Sequence, residues 1–397
     1  MNRTVWTFAV NLKEIQQRLD QTSASPGPAL LCLSHNEAAK LLRVSALDSP
    51  EAVMRAAARL RVAVGEAVVI TGDGVDYADT PQASGWLSPS STPGPHKPHP
   101  EADTIFADAA TQALARGFVA METIVMAWMT RNDALSQHAG TGLLQPRPDF
   151  AQRSSNLPFF SLPHASSVSG FAALSDADLG VYAVVYSADW VTRVVSAGVR
   201  TVQLRIKDAE GQQHRAMVRQ EIRQSIDATT AAGAQLFIND HWRLAIEEGA
   251  YGVHLGQEDL HIADLAAIRQ AGLRLGISTH AYWEVCRAWA LQPSYIACGP
   301  VHPTQAKAMP WIPQGNGNLA YWCKLLPTPV VGIAGMDVAR MEEAAACGAA
   351  GVAVISAITA AVSPEAAIAE LQQALQRGRS GPAMPVPLQP RPTLAAN

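Results

Sequence analysis

Two carboxylates nineteen residues apart, Asp240 and Asp259, are the residues whose type and spacing first suggest chemistry. An apolar run, Leu236-Phe237-Ile238, ends abruptly in Asn239-Asp240. A short amphipathic stretch with Trp242, Leu244, Ala245 and Ile246 follows and closes at Gly249. A second apolar run, Gly252-Val253-His254-Leu255, ends in Gly256-Gln257-Glu258-Asp259. The pattern predicts strand, helix, strand, with polar residues at the C-terminal tip of each strand. In a parallel sheet both tips lie on the same edge, so the two carboxylates can converge. Two carboxylates and an amide around one point suit a hard divalent cation. Mg²⁺ takes one or two protein carboxylates and completes its shell with phosphate and water. The alternative makes Asp240 a helix N-cap and Asp259 an ordinary loop residue.

These residues need a scaffold, and the chain around them supplies one. Candidate strands recur at 181–187, 201–207, 236–239, 252–255, 274–278, 295–299, 330–334 and 351–356, with helical patterns between them and a last helix from Pro364. Eight strand–helix units at this spacing match a (β/α)₈ barrel, here over residues 179–376. The fold class is α/β: a C-terminal TIM barrel preceded by a smaller α/β unit at 1–137. Short strands at 29–33 and 67–70, with helical patterns after them, carry that first unit. Residues 85–100 read as loop and 138–178 as linker, because Gly, Ser and Pro accumulate without a period. Residues 377–397 read as a disordered tail.

A barrel active site forms at the C-terminal ends of its strands. The second strand carries Gln203, Arg205 and Lys207 in alternation, which places them on one face. Two cations there would be costly to bury without an anion. The third and fourth strands end in Asn239, Asp240 and Asp259, and the fifth in Ser278. The loop after the sixth holds Thr304, Ala306 and Lys307. The seventh ends in Ala334-Gly335 and the eighth in Ile355-Ser356. Glycine and backbone amides after strands seven and eight form the usual phosphate site of such barrels. One rim thus offers cations, two carboxylates, hydroxyls and a phosphate cradle, which suits a magnesium-bound diphosphate and a second, monophosphorylated molecule. His254 lies mid-strand and reads as a core histidine, not a ligand.

QLRIKD, FIND, GVHLGQEDL, LGISTH, GPVHPTQAK and ISAI, in this order, resemble the thiamine phosphate synthases. The resemblance implies an enzyme, a transferase. It implies that hydroxymethylpyrimidine diphosphate is joined to hydroxyethylthiazole phosphate, with release of pyrophosphate. Mg²⁺ is then held by Asp240 and Asp259. Arg205, Lys207, Asn239, Ser278 and Lys307 contact the diphosphate, with Gln203 nearby. Thr304, Gly335, Ile355 and Ser356 contact the thiazole phosphate. Arg205, Lys307 and Ser278 carry the catalytic load. Two positions depart from the family pattern: Ala306 replaces a second threonine in the sixth loop, and Ala334 stands where glycine is common. The lost hydroxyl would weaken phosphate binding by ~0.5–1.5 kcal/mol.

The first unit resembles the hydroxymethylpyrimidine phosphate kinases of the ribokinase-like fold. The resemblance rests on Ser34-His35-Asn36-Glu37-Ala38, the strand into Thr71-Gly72-Asp73, and the helix after Glu101-Ala102-Asp103-Thr104. The glycine-rich anion hole of those kinases is replaced here by Glu-Ala-Asp-Thr, and a carboxylate repels phosphate. A degenerate, non-catalytic module is therefore expected. A bifunctional kinase–synthase and a non-enzymatic sensor of thiamine precursors are the alternatives.

Composition narrows the setting. The chain has 397 residues, 48% hydrophobic and 16% charged, with a net charge of −4. Such a balance gives no reason to expect nucleic acid as a partner. Five scattered cysteines without a CxxC pair imply reduced thiols and a cytoplasmic location. No apolar run approaches a membrane span of ~18 residues. The expected partners are the two small-molecule substrates, and a homo-oligomer stays open.

Overall fold

The computed structural model describes residues 4–20, 27–72, 74–90, 101–137, 144–163, 168–207, 212–304 and 310–395. The chain divides into two compact units. The first comprises Met1–Ser166, Ala281–Ala290 and Arg391–Asn397. The second comprises Ser167–His280 and Leu291–Pro390.

The first unit is built on a six-stranded sheet in sequential order. Strands β1 (Val5–Thr7), β2 (Leu30–Ser34) and β3 (Val68–Thr71) are parallel. Strands β4 (Asp76–Asp79), β5 (Ser84–Ser88) and β6 (Phe159–Ser161) continue it antiparallel. The β2 run, LLCLS, is buried until its last residue. There Ser34 ends the strand and caps helix His35–Leu42, with Glu37 completing the capping box. Helix Ala120–Ser136 is buried along most of its length, Glu122, Arg131 and Asp133 included. Charges at such depth need partners. Arg131 pairs with Asp76 at 2.7 Å, and Asp133 accepts from Arg147 and Asn156.

Three boundaries differ from expectation. The stretch beginning at Gly85 is not all loop, because Ser84–Ser88 is a strand. A Cβ on Gly85 would come within 2.6 Å of the Phe160 ring, so the glycine makes room for the neighbouring strand. The 138–178 stretch is not wholly a linker, since Phe159–Ser161 supplies β6. The region from 377 is not a disordered tail over its described residues. Helix Pro364–Ser380 runs through its start, and Thr393 is fully buried with its N–H donating to Glu122 Oε1 at 2.9 Å. Proline and arginine set the composition of that segment and hide one buried threonine.

The second unit is a closed barrel of eight parallel strands. They are β7 (Gly180–Val185), β8 (Thr201–Leu204), β9 (Gln235–Asn239), β10 (Gly252–Leu255), β11 (Arg274–Thr279), β12 (Tyr295–Cys298), β13 (Val330–Ile333) and β14 (Gly351–Val354). Each lies where the apolar runs predict a strand. Pairing of β14 with β7 closes the ring. β8 stops at Leu204, so Arg205 and Lys207 follow the strand instead of alternating within it.

Aromatic rings fill part of the barrel interior. Phe237 lies edge-on to Tyr295, with centroids 5.0 Å apart, and Tyr182 lies 6.0 Å from Phe237. Glycines on neighbouring strands leave the space. Gly276 pairs in register with Tyr295, and a Cβ there would sit 2.1 Å from the ring. Gly252 stands likewise against Phe237. Gly276→Ala is therefore expected to destabilise the protein by about 1–3 kcal/mol, since the buried Tyr295 ring would have to shift to make room. Urea melts of the full chain read this directly, and an unchanged midpoint would mean that Tyr295 does not fill the space beside β11.

Candidate active site

Closure of the barrel brings the C-terminal ends of its strands to one rim. Arg205 lies one residue beyond β8, with its N–H on the Val185 carbonyl at 2.7 Å. Asn239 ends β9 and Asp240 follows it. Asp259 opens a short turn after β10, and Ser278 lies one residue from the end of β11. Thr304 follows β12, Gly335 follows β13, and Ile355 and Ser356 follow β14, both exposed. Lys207 is exposed. Gln203 differs from the rest: it is buried inside β8, and its Nε2–H donates to the Tyr182 hydroxyl at 3.3 Å. Ala306 and Lys307 lie outside the described residues.

Asp240 is not a helix cap. The helix Trp242–Glu247 takes His241 as its N-cap, without a side-chain cap bond. Asp240 instead adopts a left-handed backbone, φ 61°, which non-glycine residues rarely do outside constrained sites. Its carboxylate accepts from Asn239 Nδ2 and faces Asp259. Asp259 is itself held by the Gly256 N–H at 3.1 Å. Burial first, then the Asp259 charge, pushes the Asp240 carboxyl up to about 6, against the opposing pull of Asn239 and Arg205. The two carboxylates are the described oxygen donors at the rim that could hold a cation.

Behind the rim lies a buried polar chain. Ser278 Oγ is 2.8 Å from His254 Nε2, His254 Nδ1 is 2.6 Å from the Tyr295 hydroxyl, and that hydroxyl is 2.7 Å from Tyr182. His254 is thus the satisfied core histidine that its mid-strand position predicts. Burial, reinforced by Arg205, lowers its pKa to about 4, so the imidazole is neutral. Neither tyrosine stands out in the sequence, where both sit inside apolar strands.

The loop after β12 packs onto the end of β13. Val301 N–H donates to Ile333 O at 2.9 Å and His302 N–H to Ala334 O at 3.2 Å. Ala334 and Gly335 both have left-handed φ, 81° and 69°. A Cβ on Gly335 would lie 2.7 Å from Pro303 O, so only glycine lets the two segments approach. Arg340 Nη1 donates to Gly335 O at 2.6 Å, a contact that no local pattern in the sequence marks.

The family model described as thiamine monophosphate synthase matches residues 182–358, from within β7 to just past β14. A thiamine-phosphate synthase of Neisseria meningitidis serogroup A is 50% identical over 195 residues, 49% of this chain and 93% of that protein. One from Yersinia pestis is 52% identical over 194 residues, 49% of this chain and 88% of that protein. The chain belongs to the thiamine-phosphate synthase family. Among solved structures, a thiamine phosphate pyrophosphorylase from Pyrococcus furiosus is 26% identical and covers 51% of this chain and 98% of its own, with a TM-score of 0.46. The synthase barrel belongs to a transferase family of thiamine biosynthesis. Among the described residues, no helix is long and apolar enough to cross a membrane.

The carboxylate pair of the synthase has a cost that can be measured. A carboxyl whose pKa rises on folding keeps a proton that the unfolded chain has released. Stability therefore falls as pH rises from about 4, the ordinary value, to about 6, and the whole loss persists above it. In metal-free buffer Asp240→Asn should be more stable than the parent at pH 7. Asparagine also tolerates the left-handed backbone. The advantage should vanish near pH 4. Urea midpoints at both pH values check this, and a parent at least as stable as the variant at pH 7 would remove the like-charge cost.

Proposed function

We propose that the barrel joins 4-amino-2-methyl-5-hydroxymethylpyrimidine diphosphate to 4-methyl-5-(2-hydroxyethyl)thiazole phosphate, giving thiamine phosphate and pyrophosphate. The observation that carries this reading is the approach of Asp240 to Asp259 beside Arg205, on the rim of a barrel that belongs to the synthase family. Two adjacent carboxylates fit Mg²⁺, whose remaining ligands would be phosphate oxygens and water. When bound, the ion neutralises charge on the departing diphosphate.

The protein's own groups have two tasks. The first is to take up charge as the bond from the pyrimidine CH₂ to the diphosphate oxygen breaks. Arg205 suits this through its planar fork, and Asn239, Ser278, Lys207 and Lys307 add donors. The second is to hold the thiazole nitrogen in line with that carbon. Thr304, Gly335, Ile355 and Ser356 serve it by holding the thiazole phosphate. The route is dissociative: the carbon–oxygen pair leaves with the diphosphate, and the thiazole nitrogen then donates its pair to the pyrimidine-methyl cation. No protein nucleophile is needed.

The first unit serves in a non-catalytic role under this reading. A cavity of about 300 Å³ opens at the C-terminal ends of β1, β2 and β3, at Thr7, Ser34 and Thr71. Glu37, Asp103 and Asp108 also line it, and its described lining holds no Lys, Arg or His. Asp103 accepts from Thr71 Oγ1 at 3.1 Å at the start of helix Ala102–Ala115, where a phosphate would need to sit. This charge pattern repels nucleotide phosphates and supports the degenerate-module reading over a bifunctional kinase.

The full chain with Mg²⁺ and both substrates should make thiamine phosphate, and excess EDTA should stop it. Binding without turnover would favour the sensor instead. With pyrimidine monophosphate and ATP, no diphosphate should form, and its formation would restore the bifunctional reading. Lys307→Ala should slow the chemical step by ~10²–10³-fold, as loss of one oxyanion-type donor does. Its residual turnover should leak toward the free hydroxymethylpyrimidine, because water competes for the cation when the diphosphate is less well covered. A wild-type rate with thiamine phosphate as sole product would place the lysine outside the reaction.

A further inference from the structure

The buried chain behind Ser278 has a direction. Gln203, Tyr182, Tyr295 and His254 are each at least 95% buried, so their polar hydrogens must be used within the chain. An amide nitrogen only donates, so the Gln203 Nε2–H points at the Tyr182 oxygen. Tyr182 then has one hydrogen left, and its neighbour 2.7 Å away is the Tyr295 oxygen. Tyr295, having accepted, gives its own hydrogen to His254 Nδ1 at 2.6 Å. A neutral imidazole that accepts at Nδ1 carries its proton on Nε2, and that nitrogen faces Ser278 Oγ at 2.8 Å. His254 therefore donates to the serine. The hydroxyl hydrogen of Ser278, at the rim, is then the one with no acceptor among the described residues of this chain.

We infer that His254 is the positioning residue of Ser278, and that Gln203, Tyr182 and Tyr295 fix its tautomer so that the serine presents a donor to a bound anion. The inference rests on the reading that Ser278 faces the diphosphate. The opposite order would make Ser278 donate to His254 Nε2 and turn only lone pairs toward the anion, which is repulsive. Each hydroxyl has one hydrogen, so the protons of the chain can only reverse together. The backbone is held as well, since Gln257 Nε2 donates to the Ser278 carbonyl at 2.8 Å. Gln203 thus acts from a distance on the rim, through four hydrogen bonds. No covalent or redox step is involved.

The tautomer is read by ¹⁵N NMR of the full chain labelled at histidine, with the His254 signal assigned by its absence in His254→Gln. The expected signature is a protonated Nε2 and a pyridine-like Nδ1. Tyr295→Phe removes the donor to Nδ1 and should mix the two tautomers, a change that mere packing would not produce. Inorganic pyrophosphate is the anion probe, measured with Mg²⁺ as inhibition of the synthase reaction. His254→Leu should weaken it by roughly ten- to hundredfold, the range for a hydrogen bond to a charged group. His254→Gln, whose amide nitrogen can stand near the place of Nε2, should recover part of the loss. On a Ser278→Ala background, His254→Leu should add little. A parent enzyme protonated at Nδ1, or equal pyrophosphate affinity in His254→Leu, would overturn the inference. Unchanged affinity in Ser278→Ala with the Nε2–H tautomer intact would instead sink the diphosphate contact of Ser278 and leave the tautomer assignment standing.

Discussion

The barrel interior turns on one contact, the 2.7 Å hydrogen bond between the hydroxyls of Tyr182 and Tyr295. A closed eight-stranded barrel is filled by side chains, and two phenols can fill it only if their hydroxyls find partners there. They find each other, and their remaining valences reach Gln203 on one side and His254 on the other. The result links β7, β8, β10, β11 and β12 through side chains. Gly276 is the counterpart of this arrangement, since its missing side chain is the space that the Tyr295 ring occupies. Packing and polarity are thus satisfied by the same residues, and the chain ends at a rim serine instead of in the core.

The rim follows a different electrostatic rule from the interior of the first unit. There, Asp76 is matched by Arg131, and Asp133 by Arg147 with Asn156, while the buried Glu122 is held by Thr393. At the rim, Asp240 and Asp259 face each other as like charges, and Asp240 pays in backbone geometry as well. Two facing carboxylates, one of them on a left-handed residue, cost the fold stability. Arg205 lies near enough to act on both Asp240 and His254, and its backbone N–H is held by the Val185 carbonyl. The described lining of the first unit's cavity holds carboxylates and no Lys, Arg or His, whereas the barrel rim holds Asp240 and Asp259 beside Arg205.

Much of the barrel could be read locally. Most of its strands are apolar runs that end in glycine or a polar residue, and that pattern is a property of consecutive residues in a strand whose faces are both covered. The rim residues were legible for the same reason, because the first polar residue after such a run lies at its C-terminal tip. Gln203 is the instructive departure. Alternation pairs it with Arg205 and Lys207, but β8 ends between them, so one residue enters the core and the others follow the strand. In the first unit, β5 was hidden because Gly85 reads as a loop residue until the ring of Phe160 is seen to need its space.

The residue order by itself determined the class of fold, the eight strand positions and the set of groups at their ends. Hydrophobic periodicity states which residues turn away from water, and chain direction states which end of a strand a residue occupies. Neither states what a buried atom meets. Tyr182 and Tyr295 are 113 residues apart, and Thr393 reaches Glu122 across 271. Those meetings, and with them the direction of the hydrogen bonds behind Ser278, were decided by barrel closure and tertiary packing. The free energy of a buried polar atom depends on a partner at hydrogen-bond distance, and distance in space is a quantity that local sequence patterns do not contain.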